Sequence, residues 1–402
     1  MVLTGPLVPE ALGGRTAYSA VLRRCGASAR RIDQPTNRPT GQSRRVFTPS
    51  THFFLDLTMS ATLRFPVTYK PRYSGTFEFL RTHGYVVIPD VLTVEECDSF
   101  IVDVWAWLES LGTGITQQNV SSWAPKHWIQ MIHGIIKEYG IGQQQFMWNL
   151  RTHKKVVRVF QKLWREEELV CSFDGMSLHR PKELVPSIRA VTKREDIDKP
   201  TSWMHLDHTP DNPHESVQAF VSLYENTAED GCLLVYDGSH LLFNQFFAAR
   251  KVAAREEGKK KKVAKNNWYQ LTPWDHEWFA TRHCRLVRVA APKGCMVLWN
   301  SKTVHSSAFA LEDRVNPVMR MVLYVCMVPR RYVDKKTYEK RLTMVLEGRT
   351  SSHSPLFPKS NGVVPRHPLL SGEAAKKARE QHTSYLRKRT WDEMSSAEQA
   401  LI

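Results

Sequence analysis

Trp203-Met-His-Leu-Asp-His-Thr209 sets an imidazole and a carboxylate two residues apart. In an extended segment alternate side chains share a face. His205 and Asp207 therefore point one way and His208 the other. Two such groups on one face are two corners of a facial metal triad. The third corner is a histidine from elsewhere, and three coordination positions stay open. That set suits non-haem Fe(II), which must hold both an organic cosubstrate and O₂. A His-x-Asp pair by itself says little in a chain with 16 histidines. It is more often a surface hydrogen bond, so the context has to decide.

The context lies about a hundred residues on. Pro292-Lys-Gly-Cys-Met-Val-Leu-Trp-Asn-Ser-Lys-Thr-Val-His305 is a glycine turn feeding an apolar strand, with a histidine just past the strand end. Arg320 then opens the run Met-Val-Leu-Tyr-Val-Cys-Met. An arginine entering an apolar strand is costly unless paired. Its guanidinium can grip a carboxylate through two parallel bonds, and 2-oxoglutarate has a distal carboxylate that needs such a grip.

The order of His-x-Asp, a strand, Asp230-Gly-Cys-Leu-Leu-Val-Tyr-Asp-Gly-Ser-His240, Gly-x-x-x-Leu-Trp, His305 and Arg320 resembles the phytanoyl-CoA dioxygenase family. Residues 79–97, from Phe79 to Cys97, resemble that family's opening segment. The resemblance spans roughly residues 76–330. It implies an α+β protein built on a double-stranded β-helix, a jelly-roll or cupin-like barrel with flanking helices. It implies a dioxygenase that couples oxidative decarboxylation of 2-oxoglutarate to hydroxylation of a small organic or acyl-type substrate. Fe(II) and O₂ take part, and ascorbate is a candidate reductant. His205, Asp207 and His305 match the iron ligands. Arg320 matches the arginine on the distal carboxylate, Ser307 a hydroxyl that assists it, and Phe220 an aromatic beside the cosubstrate. Asp237 and Asn300 depart from the family pattern in loops. The carboxylate of Asp207 favours hydroxylation over halogenation, because halogenases of this fold usually carry a small residue there.

Composition narrows the alternatives. The 402 residues carry a formal net charge of +16, from 56 Lys+Arg against 40 Asp+Glu. Much of the excess lies in the expected tails and in Lys259–Lys262, which reads as a solvated helix face without interleaved aromatics. An oxygenase acting on nucleic acid or protein has only that charge in its favour. A non-catalytic scaffold of the same fold has no need of an intact triad. Seven scattered cysteines without a CxxC pair argue for free thiols in a reducing compartment. The expected location is intracellular, cytoplasmic or mitochondrial, with no apolar run long enough to span a bilayer.

Three regions follow. Residues 1–60 are rich in Arg, Ser and Pro and lack lysine, as a disordered or a targeting extension would be. Residues 61–345 form the expected oxygenase domain, and 346–402 an extended wrap and charged tail with a loosely attached helix over 372–400. Within the domain, helices are predicted from Thr76, from Thr93 with a Glu96 capping box, and over 127–138, 152–167 and 246–263. Strands are predicted near 85–89, 169–174, 217–224, 232–236, 286–290, 294–299 and 321–328. The substrate pocket is expected from residues 113–135, 176–181 and 208–216.

Overall fold

The computed structural model describes residues 73–125, 127–129, 131–185, 203–256, 267–311, 314, 316–361 and 386–402. The chain divides into Met1–Thr62 and Leu63–Ile402, and every described residue falls in the second unit. The expected extension over 1–60 therefore lies outside the described residues.

Helices α1 (Tyr73–His83) and α2 (Val94–Ser110) flank strand β1 (Tyr85–Ile88). A short β2 (Ile135–Ile136) precedes α3 (Gln145–Arg151), α4 (Lys154–Trp164), β3 (Leu169–Cys171) and β4 (Met176–His179). Then come β5 (His205–Leu206), β6 (Val217–Ser222), β7 (Cys232–Tyr236) and α5 (Phe243–Glu256). Next are β8 (Tyr269–Gln270), α6 (Pro273–Ala280), β9 (Leu286–Val289), β10 (Met296–Asn300), β11 (His305–Ala308) and β12 (Arg320–Pro329). Helices α7 (Lys335–Leu346) and α8 (Ser396–Gln399) complete the set.

The strands form two antiparallel sheets. One runs β1-β10-β6-β12-β4-β2, with β3 also on β12, and the other runs β8-β5-β11-β7-β9. Side-chain alternation sorts the core into layers. On β10, Met296 and Leu298 join a cluster with α2, α3 and α4, while Val297 and Trp299 join one shared with Leu233, Val235 and Val287 of the other sheet. Leu206, Leu234 and Tyr236 face outward against Phe246, Trp278 and Phe279 of α5 and α6. The order is helices, sheet, sheet, helices. Central strands are apolar on both faces because both faces are covered, which is why they read as unbroken hydrophobic runs.

Local chemistry explains the element ends. Thr93 accepts from the Glu96 amide while the Glu96 carboxylate accepts from the Thr93 amide, the expected capping box. Gly84 ends α1 at φ 83, and a side chain there would meet Thr303 and His240. Other expectations fail. Helix α1 starts at Tyr73, so Thr76 lies inside it, 1% exposed, and does not cap it. Residues 127–138 are not helical. His133 and Gly134 take positive φ, and Ile135–Ile136 pair with β4, so strand partners override helical periodicity. Helix α6 was missed despite its Thr272–Asp275 capping box. The described cysteines Cys97, Cys171, Cys232, Cys284, Cys295 and Cys326 are buried and free. No helix among the described residues is long and apolar enough to cross a membrane.

The end of the chain also differs from expectation. Residues 362–385 lie outside the described residues, but Leu401 and Ile402 are buried in the main core. Arg341 of α7, fully buried, donates to the main-chain oxygens of Ile402, Leu401, Cys171 and Pro355. Arg389 holds Glu398 with two bonds of 2.8 and 3.0 Å. In sequence, 372–400 shows mainly charge. The two terminal apolar residues and two arginines that bury themselves by finding acceptors are what tie its end down.

Candidate metal centre

His205 and His305 are direct cross-strand partners on β5 and β11. Asp207 follows β5, placed by its amide donating to the Ser301 carbonyl at 3.1 Å. One ligand atom from each of the three lies within 4.8 Å of the others, and all three residues are buried. Asp207 Oδ2 is 3.6 Å from His205 Nε2 and 3.3 Å from His305 Nε2. Octahedral bonds of ~2.1 Å would set neighbouring ligand atoms about 3.0 Å apart. The spacing therefore fits one ion.

The imidazole tautomers fit as well. His205 Nδ1 donates to the Trp203 carbonyl and His305 Nδ1 to the Thr303 carbonyl, each at 2.9 Å. Carbonyls only accept, so the protons sit on Nδ1 and both Nε2 lone pairs face Asp207. Gln218 donates to Asp207 Oδ2 at 2.9 Å and orients the carboxylate. Burial pushes the Asp207 carboxyl up, but His353, His205 and His305 around it hold it well below its ordinary value. Burial pushes His205 down and the Asp207 charge more than restores it, whereas His305 is lowered by burial and by His205.

A cavity of about 650 Å³ lies over these ligands. Its far wall belongs to the other sheet. Arg320, 2% exposed, opens β12 and donates to Ser177 Oγ at 2.6 Å and Ser307 Oγ at 3.4 Å. Its guanidinium stands 5.2 Å from the Phe220 ring centre. Among the described residues no carboxylate pairs with it. The structure thus brings His205, Asp207, His305, Arg320, Ser307 and Phe220 to one cavity. His208 and His240 instead bond backbone carbonyls.

The expected pocket segments were partly misplaced. Ile132, His133 and Ile135 line the cavity, but no residue of 176–181 or 208–216 does. Sequence reasoning missed Lys137, Gln218, Trp268 and His353, which do line it. His353 arrives on a hairpin pinned by the Ser351 amide to the Phe173 carbonyl, and sits 3.9 Å from Asp207 Oδ2. Nothing in a Ser-Ser-His-Ser string marks it. Trp203 forms part of the wall, its ring stacked between His133 and His205.

Two antiparallel sheets enclosing a His–Asp–His set with open positions define a class, a β-sandwich protein with a centre suited to non-haem iron. The phytanoyl-CoA dioxygenase family model matches residues 80–309. The chain is 30% identical over 276 residues to Ava biosynthesis cluster protein O of Aspergillus versicolor, covering 68% of this chain and 83% of that one. The chain belongs to the phytanoyl-CoA dioxygenase family, whose members are iron- and 2-oxoglutarate-dependent oxidoreductases. Solved structures that align include the 2-oxoglutarate-dependent carbocyclase SnoK from nogalamycin biosynthesis, with 18% identity, 73% of this chain and 95% of that one covered, and TM-score 0.41. HygX from Streptomyces hygroscopicus, solved with nickel and 2-oxoglutarate, aligns at 15% identity over 65% of this chain and 88% of that one, with TM-score 0.37.

Proposed function

We propose that this protein is an Fe(II)- and 2-oxoglutarate-dependent dioxygenase that hydroxylates a small organic or acyl-type substrate. On this reading the two sheets are the halves of a double-stranded β-helix. His205, Asp207 and His305 hold the iron. Arg320, Ser307 and Phe220 hold 2-oxoglutarate. The observation that carries the proposal is the pairing, in one cavity, of a metal-ready triad with a buried arginine that has no counter-ion among the described residues.

The iron with its cosubstrate and O₂ supplies the oxidant for a C–H bond. The protein's own residues do the rest. Arg320 neutralises the distal carboxylate and orients it along a fixed axis. Phe220 and Trp299 wall off water on the sheet side. Asp207 stays anionic and keeps the imidazoles facing one point. Trp268, 48% exposed with its ring 6.1 Å from that of His205, and His353 are the groups that would meet a substrate at the mouth.

A cavity of this size suits small molecules better than a macromolecule. The test is incubation of the Fe(II)-loaded protein with 2-oxoglutarate, O₂ and fractionated metabolite pools, read by mass spectrometry. A product one oxygen atom heavier than a consumed small molecule supports the proposal. Turnover only with a nucleic acid or protein substrate would replace it with the macromolecular reading.

A further inference from the structure

His179 is a buried histidine that neither the triad nor the cosubstrate arginine explains. It ends β4, directly opposite Arg320 of β12. It is 7% exposed, and its Nε2 lies 3.3 Å from Ser307 Oγ. The ring is clamped. A Cβ on Gly134 would fall 2.0 Å from Nε2, a Cβ on Gly231 would fall 2.6 Å from Nδ1, and Phe309 stacks on the ring at 5.1 Å. Two neighbours without side chains make room for one imidazole in one orientation.

Its protonation follows from its partners. Burial, and then the Arg320 charge, push it down to about 3, so the ring is neutral at pH 7. Nδ1 is buried, with no hydrogen-bond partner among the described residues. Nε2 faces the Ser307 hydroxyl, and the ring also bonds the His133 backbone. A proton on Nδ1 would bury an N–H with nothing to receive it. The single proton therefore sits on Nε2, where it faces Ser307 beside the His133 backbone.

That fixes the Ser307 hydroxyl. Its oxygen receives His179 Nε2–H from one side and Arg320 Nη1–H from another. Both lone pairs are then engaged, and the hydroxyl's own hydrogen is left to point into the cavity that Ser307 lines. With the Arg320 fork it forms a set of donors aimed at an anion.

We propose that His179 is a positioning residue for the distal carboxylate of 2-oxoglutarate, acting by turning the Ser307 hydroxyl into a fixed donor. The inference rests on the cosubstrate assignment above. It names a residue that the assignment does not need, and it predicts coupling between two side chains.

The experiment is calorimetric titration of 2-oxoglutarate into the anaerobic, Fe(II)-loaded full chain for wild type, His179→Leu, His179→Gln, Ser307→Ala and the double variant His179→Leu/Ser307→Ala. Circular dichroism and melting temperature check each fold. His179→Leu should bind roughly tenfold more weakly, the usual effect of one lost charge-directed hydrogen bond. His179→Gln, which can keep an N–H near the same place, should recover part of the loss. In the Ser307→Ala background His179→Leu should cost little more, because the hydroxyl it directs is gone. If His179→Leu does not fold, His179→Phe, which fills the space without an N–H, and its double with Ser307→Ala carry the same comparison. Unchanged affinity in a folded variant without the N–H, or losses that multiply in the double, overturns the inference while leaving the cosubstrate reading standing. Failure of the wild type to bind 2-oxoglutarate overturns both.

Discussion

An arginine buried among apolar strands without a counter-ion is a costly arrangement unless an anion arrives. Arg320 is in that state, with only two serine hydroxyls as hydrogen-bond partners among the described residues. Arg320→Ala should raise the apparent KM for 2-oxoglutarate by about 100-fold, the loss of a bidentate charged contact, while Fe(II) binding measured by equilibrium dialysis stays within a few-fold. An unchanged cosubstrate dependence would remove Arg320 from the site. Asp207→Ala removes the triad's only carboxylate and should lower iron retention by at least about tenfold. The same retention in wild type and variant would show that Asp207 is not a ligand. The triad was legible because a two-residue spacing and a strand-borne histidine are patterns that survive in one dimension. His353 was not, and Ser177 and His179 were covered only by the expected pocket segment 176–181, with no role. They meet the site through strand pairing and a distant hairpin, and no local pattern marks them.

Elements were legible where a local rule decides them. The Thr93 capping box, the Gly84 stop and the apolar runs of β6, β7, β10 and β12 follow from nearest neighbours. They failed where partners decide. Ile135 and Ile136 pair with the edge of β4 that β12 leaves open, and Ile132 bridges back to Ile135, while the 396–402 end docks because Arg341 and the core accept it. The docked end gives a pH prediction. Burial pushes the Glu398 carboxyl up, but Arg389 and Ser395 overcome this and hold it at about 2. A depressed carboxyl stabilises the fold above its unfolded pKa near 4.5 and loses that contribution as pH falls toward 2. Glu398→Gln should therefore cost on the order of 2 kcal/mol at pH 7. The gap from wild type, read by urea unfolding, should narrow steadily below pH 4.5. A gap independent of pH would assign the effect to packing. Removing Leu401 and Ile402 should destabilise by roughly 3 kcal/mol or more, from two buried side chains and the acceptors lost to Arg341. An unchanged melting temperature would contradict the docking.

At the scale of the whole molecule, the two sheets keep the functions apart and then join them. The metal-ready groups stand on the β8-β5-β11-β7-β9 sheet and Arg320 on the other, so the cavity exists only when both sheets are assembled. We propose that residues 1–60 lie outside this unit, since the family match starts at residue 80. A chain beginning at Met59 should keep the full-length melting temperature within about 2 °C, and a large drop would place the segment in the domain. The central claim is that this cavity decarboxylates 2-oxoglutarate at an iron held by His205, Asp207 and His305. The most direct measurement is succinate formation by the purified protein with Fe(II), ascorbate, O₂ and 2-oxoglutarate, set beside Asp207→Ala at saturating iron. The account predicts slow succinate formation by the wild type, faster with the right small molecule, and none above background in the variant. Equal background in both proteins, unmoved by any substrate pool, would contradict it and leave a binding scaffold in its place.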